Sequence, residues 1–210
     1  MRGHRGILKL AAAAATMVVG LGVANAQAID FTNEAFAPIV GPTSIPIGHA
    51  EFCAKNRAEC AANAQVRDAV ELNEALWDQL IGTNNRMNTE IVPITDEEHY
   101  KVGELWTYPD ADGSGDCEDI ALAKRQALIL EGWDPSTLLM AVVRERNGAG
   151  HAVLMVRTDR GDLVLDNQVG AVKLWSETNY QFIKRQSQEN AGQWVLIDDS
   201  RSVVVTTASN

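Results

Sequence analysis

From residue 138 onward the chain is built of short apolar runs separated by turn residues, and this change of period constrains the fold more than any other feature. Leu138–Arg144, Ala152–Thr158, Leu163–Asp166, Trp194–Ile197 and Val203–Thr206 each have strand length and strand composition. Asp159-Arg160-Gly161 between two of them reads as a turn. The preceding half has the helical period instead. Val66, Ala69, Val70, Leu76 and Leu80 predict a helix over 64–81, and Asp96–Tyr100 a helical turn. Asp116–Leu130 predicts a longer helix, with acids in its first turn and Gly132 as its stop. Residues 83–93 and 106–115 read as largely loop. Helices first and strands later predict an α+β domain with an antiparallel sheet.

The first 26 residues stand apart. Arg2, His4, Arg5 and Lys9 precede an apolar run to Val23, and Ala24-Asn25-Ala26 fits a small-x-small cleavage site. The run is short for a membrane span and has the flanks of a secretory signal peptide, so export to the periplasm is expected. Residues 27–48, with Pro38, Pro42 and Pro46, predict an irregular lead-in, and 49–210 a single domain. Without Arg2, Arg5 and Lys9 the chain keeps 15 basic and 28 acidic residues, a charge of −13. Such a surface repels phosphate backbones and argues against nucleic-acid partners.

Three cysteines, an odd number, leave one over in an oxidising compartment. Cys53 and Cys60 are the natural pair. Seven residues of continuous helix rise ~10.5 Å, beyond disulfide reach, so the pairing predicts a break near Lys55-Asn56-Arg57. Cys117 then stays free. It opens the 116–130 helix, where unpaired N–H groups and the dipole favour a thiolate and can hold an oxyanion.

A thiol nucleophile needs a base, and the base an orienting group. Outside the first 26 residues the histidines are His49, His99 and His151. His151 opens a strand after Gly148-Ala149-Gly150, and Asp166 ends the next one. A turn centred on Arg160-Gly161 puts the two on one face but four residues out of register, roughly 13 Å apart. Spacing alone therefore leaves their contact open. His49 and His99 read as surface or satisfied core residues. Trp77, Trp133, Trp175 and Trp194 read as packing, and Lys184-Arg185 as a solvated pair.

GDCEDIALAK at 115–124, GHAVLMV at 150–156 and LVLDNQ at 163–168 resemble the bacterial transglutaminase-like cysteine proteinases, which include the LapG-type periplasmic proteases. FCAKNRAEC, LWTYP and YQFIKRQS extend the likeness over most of the chain after residue 26. The resemblance implies a papain-like, transglutaminase-like fold and a Cys-His-Asp triad at Cys117, His151 and Asp166. It implies calcium dependence, with Asp116 and Glu118 as metal carboxylates. It also implies large exported adhesins as protein substrates, an effect on attachment and biofilm, and an inner-membrane receptor that senses a cyclic dinucleotide.

DADGSGDCE has the opening of an EF-hand loop from Asp110, but position 12 is Ala121 where a bidentate Glu is required, so that reading fails. A carboxylate ~6 Å from a thiolate raises its pKa by about two units, a penalty that bound calcium would reverse. No second oxyanion donor follows from the sequence beyond Trp106 or a nearby amide. Two other readings stay open here: a transglutaminase or amidase using the same triad, and a non-enzymatic calcium-binding module.

Overall fold

The computed structural model describes residues 35–109 and 112–201. The expected leader at 1–26, the strand at 203–206 and Asp110 lie outside them. In chain order the elements are β1 (Ile39–Thr43), α1 (Ile47–Lys55), α2 (Glu74–Glu90), β2 (Val92–Pro93), α3 (Asp96–His99) and β3 (Ser114–Gly115). Next come α4 (Cys117–Leu130), β4 (Leu138–Arg144), β5 (Gly150–Thr158), β6 (Gly161–Leu165), β7 (Lys173–Leu174), β8 (Gln181–Gln186) and β9 (Trp194–Ile197).

Seven strands form one antiparallel sheet in the order β1-β9-β8-β4-β5-β6-β7. Helix α4 packs across one face. Its Ala121, Leu122 and Leu128 meet Met140, Leu154, Val156 and Leu165 from the strands and Leu80 from α2. The other face buries Val143, Val153, Met155 and Val164 beneath Trp175 and Phe182. The alternation along β5 splits its side chains between these two cores, which is why the strand reads as almost continuously apolar. The α+β architecture agrees with the sequence.

Three local expectations need correction. The second helix runs over 74–90, not 64–81. Asn73 caps it by accepting a hydrogen bond from Leu76 N at 2.9 Å, and an early cap outranks a weak apolar period. Residues upstream are irregular instead, with Val70 bridged to Thr158. The stretch 27–48 contains strand β1, paired with β9. Its prolines are tolerated because β1 is the edge of the sheet. Strand β8 carries its own surprise. Arg185 is 4% exposed and donates to the Gln186 carbonyl at 2.8 Å, while Lys184 stays part-exposed and reaches the Ser44 carbonyl. The pair is therefore not a solvated surface.

Cys53 and Cys60 are bonded, with Cα atoms 5.5 Å apart, and α1 ends at Lys55 as the pairing requires. His49 lies beneath them, 1% exposed, accepting from Trp194 Nε1 at 3.1 Å. Burial, with help from the Arg125 charge, lowers its pKa to about 4, so it is a neutral core histidine.

The β5–β6 connection sets the geometry of everything downstream. Thr158 pairs with Gly161, so the turn is centred on Asp159-Arg160, one residue earlier than the sequence suggests. Gly161 sits at φ 119°, and a Cβ there would run into the Ala35 carbonyl. Only glycine holds that conformation without strain. Gly161→Ala should therefore lower unfolding free energy by about 1–3 kcal/mol in urea titration. An unchanged midpoint would contradict this account of the turn.

Candidate functional site

With the turn one residue earlier, Asp166 lies in the extended register opposite Val153. It is then two residues from His151 along the sheet rather than four, and diagonal neighbours of this kind are within side-chain reach. His151 Nε2 and Asp166 Oδ1 are 2.9 Å apart, with both side chains almost fully buried. The sequence expectation of ~13 Å is thus corrected by a one-residue shift of the turn.

Asp166 has further partners. Tyr180 Oη donates to Oδ2 at 2.6 Å, and the Gln168 amide donates to Oδ1 at 3.0 Å. From α2, Asn88 Nδ2 donates to the Asp166 backbone carbonyl at 2.8 Å. Burial pushes the carboxyl up, but the hydrogen bonds from His151, Tyr180 and Gln168 outweigh it and hold the group below the usual carboxylate range. Asp166 is ionised and clamped on both oxygens. The Tyr180 ring also tilts against His151, with centroids 5.4 Å apart. Sequence reasoning missed Tyr180 and Asn88. Tyr180 opens the YQFIKRQS stretch but has no spacing relation to Asp166, Asn88 stands in no motif, and both act across elements distant in the chain.

Cys117 is the first residue of α4, with Asp116 as N-cap, and is the free cysteine of the described residues. Among the described contacts its thiol does not bond His151. It donates to Glu118 Oε2 at 3.1 Å. Burial pushes the thiol far up, the Glu118 charge and hydrogen bond add to this, and the Ala152 backbone amide pulls the other way. That amide belongs to the residue after His151, so the sulfur lies against the start of β5. With Nε2 on Asp166, Nδ1 is the ring nitrogen left to serve the thiol. Trp106 is 3% exposed and its Nε1 donates to Glu104 at 2.7 Å, so its indole N–H is already committed and supplies no oxyanion donor here.

The acids beside Cys117 extend well beyond Asp116 and Glu118. Asp96 from α3 and Glu104 from the following loop join Asp116, Glu118 and Asp119 in overlapping groups whose oxygens lie within 4.8 Å of one another. Asp116 Oδ1, Glu118 Oε1 and Asp119 Oδ2 are buried without a partner. The loop holds them in place. The Leu105 amide donates to Asp96, and the Thr107 amide donates to Asp119 Oδ1 at 2.8 Å. Burial raises the Asp119 pKa to about 7, with Asp116 and Asp96 adding to it. Burial likewise pushes Glu118 up, with Asp116 and Glu104 adding to it, and burial pushes Asp96 up. Hard carboxylate oxygens at this density suit a divalent cation such as calcium. Asp112, in the loop before β3, is bonded instead to His99 at 3.0 Å and to the Ser114 amide.

The profile of a family described as bacterial transglutaminase-like cysteine proteinase matches residues 39–202. No curated protein sequence matches significantly. Among solved structures, calcium-bound LapG of Legionella pneumophila is similar at 20% identity, with a TM-score of 0.50 over 75% of this chain and 83% of that one. EGTA-treated LapG of the same organism is 25% identical, with a TM-score of 0.49 over 62% of this chain and 75% of that one. These likenesses agree with a papain-like, transglutaminase-like α+β fold.

The acid cluster carries a pH signature. Asp119 has a folded pKa of about 7 against 3.8 for the free group, so the fold favours its protonated form. Its contribution is complete below the unfolded value and is lost as pH rises towards 7. Burial of neutral His49 works the other way below pH 6.5, so the test compares variants: in metal-free protein the melting temperature of Asp119→Asn should rise relative to wild type from pH 4.5 to 7. Identical slopes for the two proteins in calorimetry would contradict the assignment.

Proposed function

Because this chain belongs to the bacterial transglutaminase-like cysteine proteinases and is a cysteine peptidase, we propose that it is an exported, calcium-dependent endopeptidase whose triad is Cys117, His151 and Asp166. The observation that carries the reading is the buried His151–Asp166 pair, clamped by Tyr180, beside a free cysteine at a helix N-terminus.

In this mechanism His151 Nδ1 accepts the Cys117 proton, and the thiolate attacks the peptide carbonyl. The N-terminal amides of α4 face the developing oxyanion. His151 then protonates the leaving amine, and water releases the acyl-enzyme. Asp166 keeps the imidazole oriented and stabilises its charged form. Tyr180 keeps the second oxygen of Asp166 occupied, which holds the carboxylate plane fixed.

Calcium fits the orphaned oxygens, with Asp116 and Glu118 as ligands and Asp96, Glu104 and Asp119 beside them. A bound ion would supply positive charge that offsets these acids, Glu118, the thiol's acceptor, among them. The substrates we assign are large exported surface proteins of the adhesin type, whose release changes attachment and biofilm formation. We take residues 1–26 as a leader that exports the enzyme to the periplasm, where an inner-membrane receptor is its expected partner. No helix among the described residues is long and apolar enough to cross a membrane.

Cells carrying the wild type should release surface proteins that cells carrying Cys117→Ala retain, and a calcium chelator should abolish the difference. Equal release by both strains would sink the protease reading, and chelator-insensitive release would sink the metal site. In purified protein, calcium should speed iodoacetamide labelling of Cys117 by at least tenfold, since only the thiolate reacts. Tyr180→Phe should lower kcat about tenfold or more while leaving KM within a factor of two. A KM effect alone would deny Tyr180 its positioning part.

A further inference from the structure

A cavity of about 210 Å³ opens beside the base–acid pair, and Asp166 and Tyr180 form part of its wall. Val164, Val169 and Ala171 line it with apolar surface, and Arg146 and Lys173 line it with positive charge. We propose that this cavity is a substrate subsite on the leaving-group side of the scissile bond, and that it selects an acidic side chain through Lys173 and Arg146. The proposal rests on the protease reading above.

The position follows from the chemistry of the base. The leaving amine collects its proton from His151, so the substrate chain beyond the cut must pass the imidazole. From the imidazole two short contacts lead to the cavity wall, 2.9 Å to Asp166 and 2.6 Å from Asp166 to Tyr180. Asp166 is itself part of the cavity wall, so the cavity borders the base, and we place a side chain from the first three residues after the cut within its reach.

The charge preference follows from which groups are already spent. Glu145, the other acid in the wall, accepts from Gln168 Nε2 at 2.7 Å and from Asn147 Nδ2 at 3.1 Å. Both oxygens of Asp166 are taken by His151, Tyr180 and Gln168. The cations are not spent in this way. Arg146 makes one side-chain bond, Nη2 to Asn179 Oδ1 at 2.7 Å, and keeps further N–H donors. Lys173, half-buried opposite Val164 at the β6–β7 edge, has no carboxylate partner among the described residues. Two cations and two carboxylates thus share the wall, but the carboxylate oxygens are occupied while the cations keep free N–H donors above an apolar floor. A Glu or Asp side chain can lay its methylenes on Val164 and Ala171 and its carboxylate on the two cations.

The test is cleavage-site profiling of a proteome-derived peptide library with the calcium-supplemented enzyme. Wild type should enrich Asp and Glu at one of the first three positions after the cut. Lys173→Gln should weaken that enrichment, and Lys173→Glu should turn it towards Lys and Arg. For matched peptides differing only there, the Glu/Lys ratio of kcat/KM should fall about tenfold or more in Lys173→Glu. Peptides neutral at that position should still be cut by Lys173→Glu, which shows the variant to be folded. No acidic enrichment by wild type, or an enrichment unchanged in both variants, overturns the subsite. A library that wild type leaves uncut overturns the protease reading itself, and the subsite with it.

Discussion

The hydrogen bond between His151 and Asp166 is the interaction on which the rest of the site depends, and it exists because of a two-residue turn. Two antiparallel strands place side chains in fixed register, so a shift of one residue in the turn moves partners two positions along the sheet. Centred on Asp159-Arg160, the turn leaves the imidazole and carboxylate as diagonal neighbours. Gly161 makes that turn possible by holding φ 119° where a side chain would meet the Ala35 carbonyl. The chemistry at one end of β5 is thus fixed by a backbone conformation at the other.

A buried carboxylate is costly unless its oxygens are satisfied. Asp166 meets that cost with donors from three parts of the chain: His151 on β5, Tyr180 just before β8, and the amide of Gln168. The acids near Cys117 show the opposite condition. Asp96, Asp116, Glu118 and Asp119 are brought together by α3, the 104–108 loop and α4, yet three of their oxygens lack partners. Satisfied acid on one side of the cysteine and unsatisfied acid on the other give the two carboxylate groups different work. One fixes an imidazole, and the other calls for a cation.

The thiol stands between them. It donates to Glu118, and burial with negative surroundings raises its pKa. The helix N-terminus by itself does not overcome this, since its partial charge is small beside a full carboxylate in contact with the sulfur. Glu118 is thus both the thiol's acceptor and a member of the acid cluster, which ties the charge state of that cluster to the nucleophile.

Much of this was legible in the linear chain. Short-range rules place α4 and strands β4, β5 and β9, because each carries its own period and its own stop signals. Cysteine arithmetic leaves Cys117 free, and the chemistry of a thiol beside a lone histidine and a strand-end acid points to the three residues the motifs contain. The sequence could not supply distances between elements. It misjudged a turn by one residue, placed the second helix some ten residues early, and read β1 as irregular and Arg185 as solvated. It also assigned no part in the site to Tyr180, Asn88, Asp96 or Glu104. Those residues owe their place to packing: α2 and α3 are laid against the loops after β6 and before α4, and only the assembled sheet carries Tyr180 to Asp166. Residue types and local periods determine which groups are present and which segments hold them, because those depend on neighbours in the chain. Which groups touch depends on contacts between segments far apart in sequence, and only the tertiary structure decides that.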